Sequence, residues 1–400
     1  MSRTNNCLFR ITSASSLHNA WSKLHKRSRA RSRNTQGIDG LSINDFSQDH
    51  KANLNRLVRD VREGQFHFQK LLPHFIPKKN GKYRIICVPT VRDRIIQRAL
   101  LDFVSSKYKK NLSNKISYGF IEGRGVHKAA EHACNLRRNH QWVYKTDITS
   151  FFDSIDRARL EILIKNKIRE KSLHAILIEA AHCEVHAADE SATRRITKQG
   201  IHDGLGVRQG MPLSPMFSNL ILQPFDSAVS NKGYRAVRYA DDLIFFADSR
   251  NQCLEIDEFC RAELLKLGLD IPHIEETTKS IIYGPTEAAE FLGLGICLQG
   301  RNYELKLLTE QISHIRQELL QLGSINELLA RGITLARLGI TIQSRINGYM
   351  SAYEVCSNIA ELENEIADLH QKVLRKIYHD GLRIDLNGLP TEARTFLGLN

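Results

Sequence analysis

Two hydrophobic patterns alternate along the chain. Residues 76–89 and 233–248 have the period-two pattern of paired strands, and in the first of them Asn80-Gly81 is a preferred hairpin turn pair. Further strand-like runs cover 141–148, 279–284 and 289–298. Helical spacing predicts helices over 92–108, 157–168, 211–225 and 251–268. The mixture predicts an α+β domain.

Local signals define the ends of these predicted helices. Asp156 is the expected N-cap of the second helix, and Gly268 is the expected left-handed residue after the fourth. The third helix follows a tight loop at Gly210. From about residue 305 the pattern is helical only, with an apolar stripe at regular spacing, and a helix is predicted to begin at Ser344. The stripe consists of Leu362, Ile366, Leu369, Val373 and Ile377.

Composition excludes several classes of protein. Of the 400 residues, 42% are hydrophobic and 25% are charged, which is typical of a globular protein. No apolar run approaches the roughly 18–20 residues of a membrane helix, and the first residues lack the apolar core of a secretory signal. The eight cysteines form no C-x-x-C pair, so a zinc ribbon is disfavoured. We therefore expect a cytoplasmic protein with reduced thiols and no membrane partner.

The charge balance favours a polyanionic partner. Net charge is +13 with a pI near 9.4, which indicates nucleic acid first and an anionic membrane surface second. Part of the excess is local, because residues 23–34 contain six basic side chains and no acid. The candidate RNA-binding residues are Lys23, Lys26, Arg27, Arg29, Arg31 and Arg33. The alternative is a solvated basic arm.

Adjacent acids interrupt the apolar hairpin at 233–248. Asp241 and Asp242 repel each other unless one is protonated or a cation is bound, and Mg²⁺ prefers such hard oxygen ligands. Asp147 ends the strand-like run at 141–148. If the two strands are neighbours, Asp147 and Asp241 can share two metal ions for phosphoryl transfer. The alternative is that all three are ordinary turn and strand-end residues.

Several motifs in order resemble those of reverse transcriptases. They are "GIDGLSINDF", "IPKKNGKYRII", "PTVRDRIIQRAL", "SYGFIEGRGVHKA", "DITSFF", "RQGMPLSP", "YADD", "LGLDIPHIEETTKS" and "FLGLGI", and they cover residues 37 to 297. The resemblance implies a right-hand polymerase fold with a C-terminal α-helical thumb. The implied divisions are 1–50 (basic N-terminal segment), 51–140 (mainly fingers), 141–304 (palm), 305–379 (helical thumb) and 380–400 (tail).

The resemblance also implies roles for individual residues. The catalytic and metal-binding set is Asp147, Ile148, Asp241 and Asp242, with two Mg²⁺ ions, for which Mn²⁺ can substitute. The nucleotide-binding set is Lys78, Lys79, Arg84, Phe152, Gln209 and Gly210. The primer and template set is Tyr239, Ala240, Phe291, Leu292, Gly293 and Lys279. Lys279 also matches a lysine that assists pyrophosphate departure, and its alternative is a surface lysine.

Phe152 bears on the choice of substrate. It lies where the family has a gate against the sugar 2′-hydroxyl, and a bulky ring there favours deoxynucleotides. By alternation, Phe151 is expected to face the core. The implied partners are an RNA template, dNTPs and a DNA product, and the oligomeric state is left open.

The compact layout resembles stand-alone bacterial reverse transcriptases, many of which act in antiphage defence on a dedicated structured non-coding RNA. Alternatives are a group II intron-derived or retron-like enzyme, and template-independent or protein-primed DNA synthesis. An RNA-binding protein with an inactive polymerase fold is opposed by the intact acids. An RNA-dependent RNA polymerase is opposed by Phe152.

Overall fold

The computed structural model describes residues 6–29, 31–78, 81, 83–274 and 279–399. The predicted mixture of helices and strands is confirmed. The helices are α1 (Cys7–Ile11), α2 (Ala14–Arg27), α3 (Ile43–Gln48), α4 (His50–Arg62), α5 (Val91–Lys107), α6 (Lys109–Leu112), α7 (Val126–Asn139), α8 (Phe151–Ser154), α9 (Arg157–Lys167), α10 (His174–Ala181), α11 (Glu190–Thr197), α12 (Ser214–Asn231), α13 (Arg250–Leu265), α14 (Thr309–Leu320), α15 (Ile325–Ala330), α16 (Leu335–Ala352), α17 (Ile359–Ile366), α18 (Leu369–Lys376) and α19 (Thr391–Phe396). The strands are β1 (Leu72–Pro77), β2 (Tyr83–Val88), β3 (Trp142–Asp147), β4 (Arg235–Tyr239), β5 (Asp242–Ala247), β6 (Ile281–Tyr283), β7 (Ala289–Phe291), β8 (Leu294–Gln299) and β9 (Asn302–Lys306).

The chain divides into two compact units. The first comprises Met1–Arg124, Thr146–Leu243 and Leu254–Ile281, and the second comprises Gly125–Lys145, Ile244–Cys253 and Ile282–Asn400. The division into fingers, palm and thumb inferred above stays a prediction.

Among the described residues, the strands form three sheets. β1 and β2 form an antiparallel hairpin whose register runs from Leu72 opposite Val88 to Pro77 opposite Tyr83. The strand order of the largest sheet is β4-β5-β3-β6, so the hairpin at 233–248 is a direct neighbour of β3. β7, β8 and β9 form an antiparallel meander.

The meander corrects one prediction. Residues 289–298 were expected to form one strand, but they form β7 and β8, joined by Leu292 and Gly293 with φ of 53° and 78°. Two-residue hairpin loops of this kind require positive φ at both central positions. Leucine rarely adopts that conformation, so the apolar run conceals the turn.

Local helix signals agree with the structure in the first unit. The Asp156 side chain accepts hydrogen bonds from the backbone N–H groups of Ala158 and Arg159, at 2.9 and 3.2 Å, and so caps α9. Gly268 has φ of 72° just after α13. α12 begins at Ser214, three residues later than predicted, and continues to Asn231.

The basic segment at 23–34 is not a free arm over its whole length. Lys23 to Arg27 form the last turns of α2, which packs against α5 and α4, and Leu17 and Trp21 of this helix are buried. The Lys23 ammonium is 2.7 Å from Asp102 of α5. Part of this basic charge is therefore held against the body of the first unit.

The second unit contains the helical C-terminal region. The predicted apolar stripe from Leu362 to Ile377 is buried, although it is divided between α17, α18 and a π-turn that starts at Ile377. α16 begins at Leu335, nine residues before Ser344, where a helix was expected to begin. The tail docks onto this unit, because the Tyr378 hydroxyl donates to the Leu397 carbonyl at 3.1 Å. Within the described ranges, no helix has the length and apolar character to cross a membrane.

Candidate active site

A backbone hydrogen bond joins the residue after β3 to the turn that carries Asp241. Asp147 is the last residue of β3, and Asp241 lies in the two-residue turn between β4 and β5. The N–H of Ile148 donates to the Asp241 carbonyl at 3.2 Å. Because β3 and β5 are neighbours in the sheet, the hairpin turn lies beside the end of β3. The structure therefore brings Asp147 and Asp241 together in the first unit.

The electrostatic environment of these acids favours a cation. Burial raises the pKa of Asp241, and the negative charge of Asp147 raises it further, while Lys279 and Arg84 act in the opposite direction. The Lys279 ammonium pairs with Asp147 Oδ2. Asp147 Oδ1 is buried without a hydrogen-bond partner. An orphaned carboxylate oxygen next to a second acid is a suitable ligand for a divalent ion.

The chain alone offers an incomplete ligand set. Among the described residues, no group of three His, Cys, Asp or Glu side chains is placed to hold a metal ion. Mg²⁺ commonly uses one or two carboxylates and completes its shell with water and substrate phosphate. Asp147, Asp241 and the backbone at Ile148 fit such a partial set. Asp242, the first residue of β5, is half-buried next to them.

A buried arginine that the sequence pattern did not identify as important holds the turn. Arg238 is fully buried, and its guanidinium forms two hydrogen bonds to Asp226 of α12, at 2.7 and 2.5 Å. Its Nη1 atom also donates to the Ala240 carbonyl at 2.9 Å and to Asn219 Oδ1 at 3.2 Å. Ala240 has φ of 58°, which an alanine adopts only at a cost. The ion pair thus stabilises a strained turn next to Asp241.

Gly119 also lies against this turn. Its backbone continues from a short parallel bridge between Ser117 and Arg238. A Cβ atom on Gly119 would lie 2.4 Å from the Ala240 nitrogen, so only glycine fits. The next residue, Phe120, is 56% exposed and its ring centroid is 6.3 Å from that of half-buried Tyr239. An aromatic pair therefore borders the turn where a primer end was predicted.

The predicted nucleotide residues Phe152, Gln209 and Gly210 line one cavity of about 530 Å³ in the first unit. The Cys87 N–H of β2 donates to the Gln209 carbonyl at 2.7 Å. Gly210 has φ of 109°, and a Cβ there would lie 2.4 Å from the Cys87 carbonyl oxygen. The loop therefore approaches the β1–β2 hairpin at a distance that only glycine permits.

Phe151 and Phe152 differ in burial as expected, although both lie in helix α8, where the alternation expected of a strand does not apply. Phe151 is 2% exposed and belongs to the core, whereas half-buried Phe152 lines the cavity. Lys23, Arg27, Arg94 and Arg98 also line it, so the cavity is positively charged. Such a cavity suits a phosphate-bearing ligand.

The remaining predicted residues are distributed over both units. Lys78 and Arg84 are exposed on the β1–β2 hairpin, and the charge of Arg84 lowers the pKa of Asp241. Phe291, Leu292 and Gly293 belong to the second unit. On α2 and just after it, Lys26, Arg27 and Arg29 are exposed. Arg33 donates from Nε to the Ser28 carbonyl at 3.1 Å. Lys79 and the Arg31 side chain lie outside the described residues.

Glu184 is a second residue that the sequence pattern did not reveal. It accepts hydrogen bonds from Arg157 at 2.5 Å, from Arg208 at 2.6 Å and from the Gly204 N–H at 2.9 Å. Both guanidinium groups are buried. Arg208 directly precedes Gln209, so this ion cluster adjoins the cavity wall. Only the adjacency of Arg208 to Gln209 is visible in the sequence, and the pairing with Glu184 is not.

Comparison with known proteins gives a family match over the region that contains the site. The family described as "Reverse transcriptase (RNA-dependent DNA polymerase)" matches residues 76–296. Protein YkfC of Escherichia coli K12 is 28% identical over 298 residues, which cover 60% of this chain and 73% of YkfC. The group II intron-encoded protein LtrA of Lactococcus lactis is 26% identical over 49% of this chain but only 31% of LtrA. The retron Mx65 reverse transcriptase of Myxococcus xanthus is 29% identical over 52% of this chain and 49% of its own length.

Solved structures show weaker overall similarity. A chain of a partial Cas6-RT-Cas1–Cas2 complex has a TM-score of 0.39 and 25% identity, with 66% of this chain and 42% of that chain covered. Telomerase from Candida albicans has a TM-score of 0.42 and 11% identity, with 84% and 63% covered.

Proposed function

Because the chain belongs to the reverse transcriptase family, we propose that it copies RNA into DNA at the site formed by Asp147 and Asp241. Family membership makes it an RNA-directed DNA polymerase of the nucleotidyltransferase class. The observation that carries the assignment of the site is the pairing of β3 with the hairpin turn. It brings the carboxylates of Asp147 and Asp241 together, and one oxygen of the first, Asp147 Oδ1, is buried without a hydrogen-bond partner.

The proposed reaction is two-metal phosphoryl transfer, with Mg²⁺ held by Asp147, Asp241, Asp242 and the Ile148 backbone. Bound metal would stabilise the attacking and leaving oxygens of an in-line displacement. The protein supplies a rigid turn that fixes the acids through Arg238 and the Ile148 hydrogen bond. Lys279 is adjacent to Asp147 and supplies positive charge where pyrophosphate departs.

The positively charged cavity provides the proposed nucleotide site. Gln209 and Gly210 form one wall, and Phe152 lines the same cavity as the proposed gate against a ribose 2′-hydroxyl. Lys78, Lys79 and Arg84 are proposed to contact the triphosphate, since lysine and arginine are suited to phosphate oxygens. Tyr239 and Ala240 are proposed to lie beside the primer end, and Phe291, Leu292 and Gly293 to contact the primer.

We further propose that the template is a dedicated structured non-coding RNA and that the enzyme acts in antiphage defence. The net charge of +13 and the exposed Lys26, Arg27 and Arg29 support an RNA partner. The similarity to a retron reverse transcriptase supports a specialised bacterial role. Sequencing of nucleic acid that copurifies from cells tests this proposal. We expect one structured RNA with matching cDNA, whereas intron RNA would favour the group II alternative.

Primer extension tests the proposed site. Purified protein is incubated with an RNA template, an annealed DNA primer, dNTPs and Mg²⁺, and Asp241→Asn is expected to abolish extension. Asp248→Asn is the matched control, because Asp248 follows the same hairpin but is 67% exposed. Extension by the wild type and the control, but not by Asp241→Asn, supports the site. Equal extension by both variants would overturn it.

A further inference from the structure

The loop that carries Gln209 is rich in glycines with left-handed backbone. Gly200, Gly204, Gly206 and Gly210 have φ values of 90°, 78°, 76° and 109°. Glycine loses more conformational freedom on folding than any other residue. A loop with four such residues needs strong tertiary contacts to hold Gln209 in one position.

Glu184 supplies those contacts from outside the loop. Its carboxylate binds the Gly204 N–H and the Arg208 guanidinium, so it holds the loop at two points. Burial favours the neutral acid, but hydrogen bonds from Arg157, Gly204 and Arg208 lower the Glu184 pKa to about 2. The carboxylate is therefore charged at neutral pH, and its hydrogen bonds are of the strong, charge-assisted kind.

The same cluster extends to the segment that carries Phe152. Arg157, which binds Glu184, also donates from Nε to the Gly206 carbonyl at 2.7 Å. The next residue, Val207, donates its N–H to the Phe152 carbonyl at 2.7 Å. A Cβ on Gly206 would lie 2.6 Å from the Asp153 carbonyl oxygen, so the two segments are in close backbone contact.

Glu184 is also joined to the β1–β2 hairpin through its backbone. The N–H of Leu71, the residue before β1, donates to the Glu184 carbonyl at 2.8 Å. On β2, the Cys87 N–H donates to Gln209. The Glu184 backbone thus contacts the chain next to β1. The Glu184 side chain holds the glycine loop, which contacts β2 through Gln209.

We propose that Glu184 is a positioning residue that fixes Phe152 relative to Gln209 and thereby sets the discrimination between deoxyribonucleotides and ribonucleotides. It acts through Arg208, Arg157 and the glycine loop, without touching the nucleotide. This inference rests on the proposed function. A loosened loop would let Phe152 and Gln209 move apart, and the extra space would admit a 2′-hydroxyl.

Glu184→Gln tests the proposal, with Glu179→Gln as the matched control. Glu179 also binds a loop N–H, that of Phe68 at 2.9 Å, but its contacts are with residues 67 and 68 rather than with the glycine loop. In Glu184→Gln we expect the dNTP-to-rNTP ratio of kcat/KM to fall on the order of tenfold, with a larger change in KM for dNTP than in kcat. Glu179→Gln should keep the wild-type ratio. If Glu184 had a purely structural role, Glu184→Gln would lower kcat/KM for dNTP and for rNTP by the same factor.

Amide hydrogen exchange provides a readout that does not require polymerase activity. Exchange at 204–208 should accelerate about tenfold or more in Glu184→Gln, the scale expected for a lost charge-assisted hydrogen bond. If Glu184→Gln fails to fold, Glu184→Asp, which keeps the charge on a shorter side chain, takes its place with a smaller change in the same direction. If exchange accelerates in Glu184→Gln but the wild type has no polymerase activity, the proposed function is overturned, while the role of Glu184 in holding the glycine loop is supported. Unchanged exchange, or an unchanged ratio in an active folded variant, would overturn the inference.

Discussion

Gly119→Ala should disable the candidate active site without touching an acid. The added Cβ would lie 2.4 Å from the Ala240 nitrogen, 3.2 Å from the Tyr239 carbonyl carbon and 3.3 Å from the Ala240 Cα. All three are backbone atoms, so no side-chain rotation relieves the clash. Since non-bonded carbon contacts lie near 3.5–4.0 Å, the turn must move by about 1 Å.

The expected cost follows from that displacement. A misplacement of about 1 Å can cost about 10²-fold in rate, or about 2.7 kcal/mol of transition-state stabilisation. The movement also strains the bond from Arg238 to the Ala240 carbonyl and the bond from Ile148 to the Asp241 carbonyl. Phe120, the residue after Gly119, lines the cavity at Gln209, but most of the lining belongs to other segments, so kcat should fall more than the KM for dNTP rises.

Steady-state primer extension measures this effect, with Gly125→Ala as the control. Gly125 has φ of −164°, an extended conformation open to alanine, and a Cβ there meets nothing within 4 Å. Melting temperatures of both variants show whether lost activity reflects unfolding. A folded Gly119→Ala variant with kcat within about threefold of the control would refute the reasoning, because 1 Å of movement would then have no catalytic consequence.

Two further predictions concern neighbouring side chains. Phe152→Ala should admit ribonucleotides and Phe152→Tyr should not, because only the first removes bulk from the cavity. If competition assays give Phe152→Ala the same dNTP-to-rNTP preference as the wild type, Phe152 is not the gate. Asp153 has its pKa raised to about 6, mainly by burial and against the opposing charges of Arg208, Lys78 and His202. Between its ordinary 3.8 and about 6, the folded state holds a proton that the unfolded state has released, so unfolding free energy should fall as pH rises through this window. Urea titrations at several pH values should show that the unfolding free energy of Asp153→Asn depends less on pH than that of Asp248→Asn. Identical pH dependence in the two variants would contradict the raised pKa of Asp153.

Local signals accounted for much of the fold. The cap at Asp156 and the left-handed Gly268 both follow from rules that involve only neighbouring residues. The juxtaposition of Asp147 with the hairpin turn was also foreseen, although as a condition on strand order that only the fold could supply.

The rest depends on long-range pairing. Period-two alternation places Arg235 and Arg238 on opposite faces of β4, and Arg235 is exposed whereas Arg238 is fully buried. Alternation does not explain how an arginine is accommodated on the buried face; α12 presents Asp226 to Arg238 there, and no local pattern reveals that contact. The Glu184 cluster was missed for the same reason, since its partners lie 20 or more residues away along the chain.

The buried pair of Arg238 and Asp226 has an evolutionary consequence. Removal of one partner leaves an uncompensated buried charge, which costs about 3–5 kcal/mol, whereas joint replacement by well-packed apolar residues is often neutral or stabilising. Single substitutions at either position are thus selected against, and descendants of this sequence should retain both residues or lose both. The Arg238 and Asp226 side chains next to the turn that carries Asp241 therefore form one inherited unit, although strand β4 and helix α12 supply them separately.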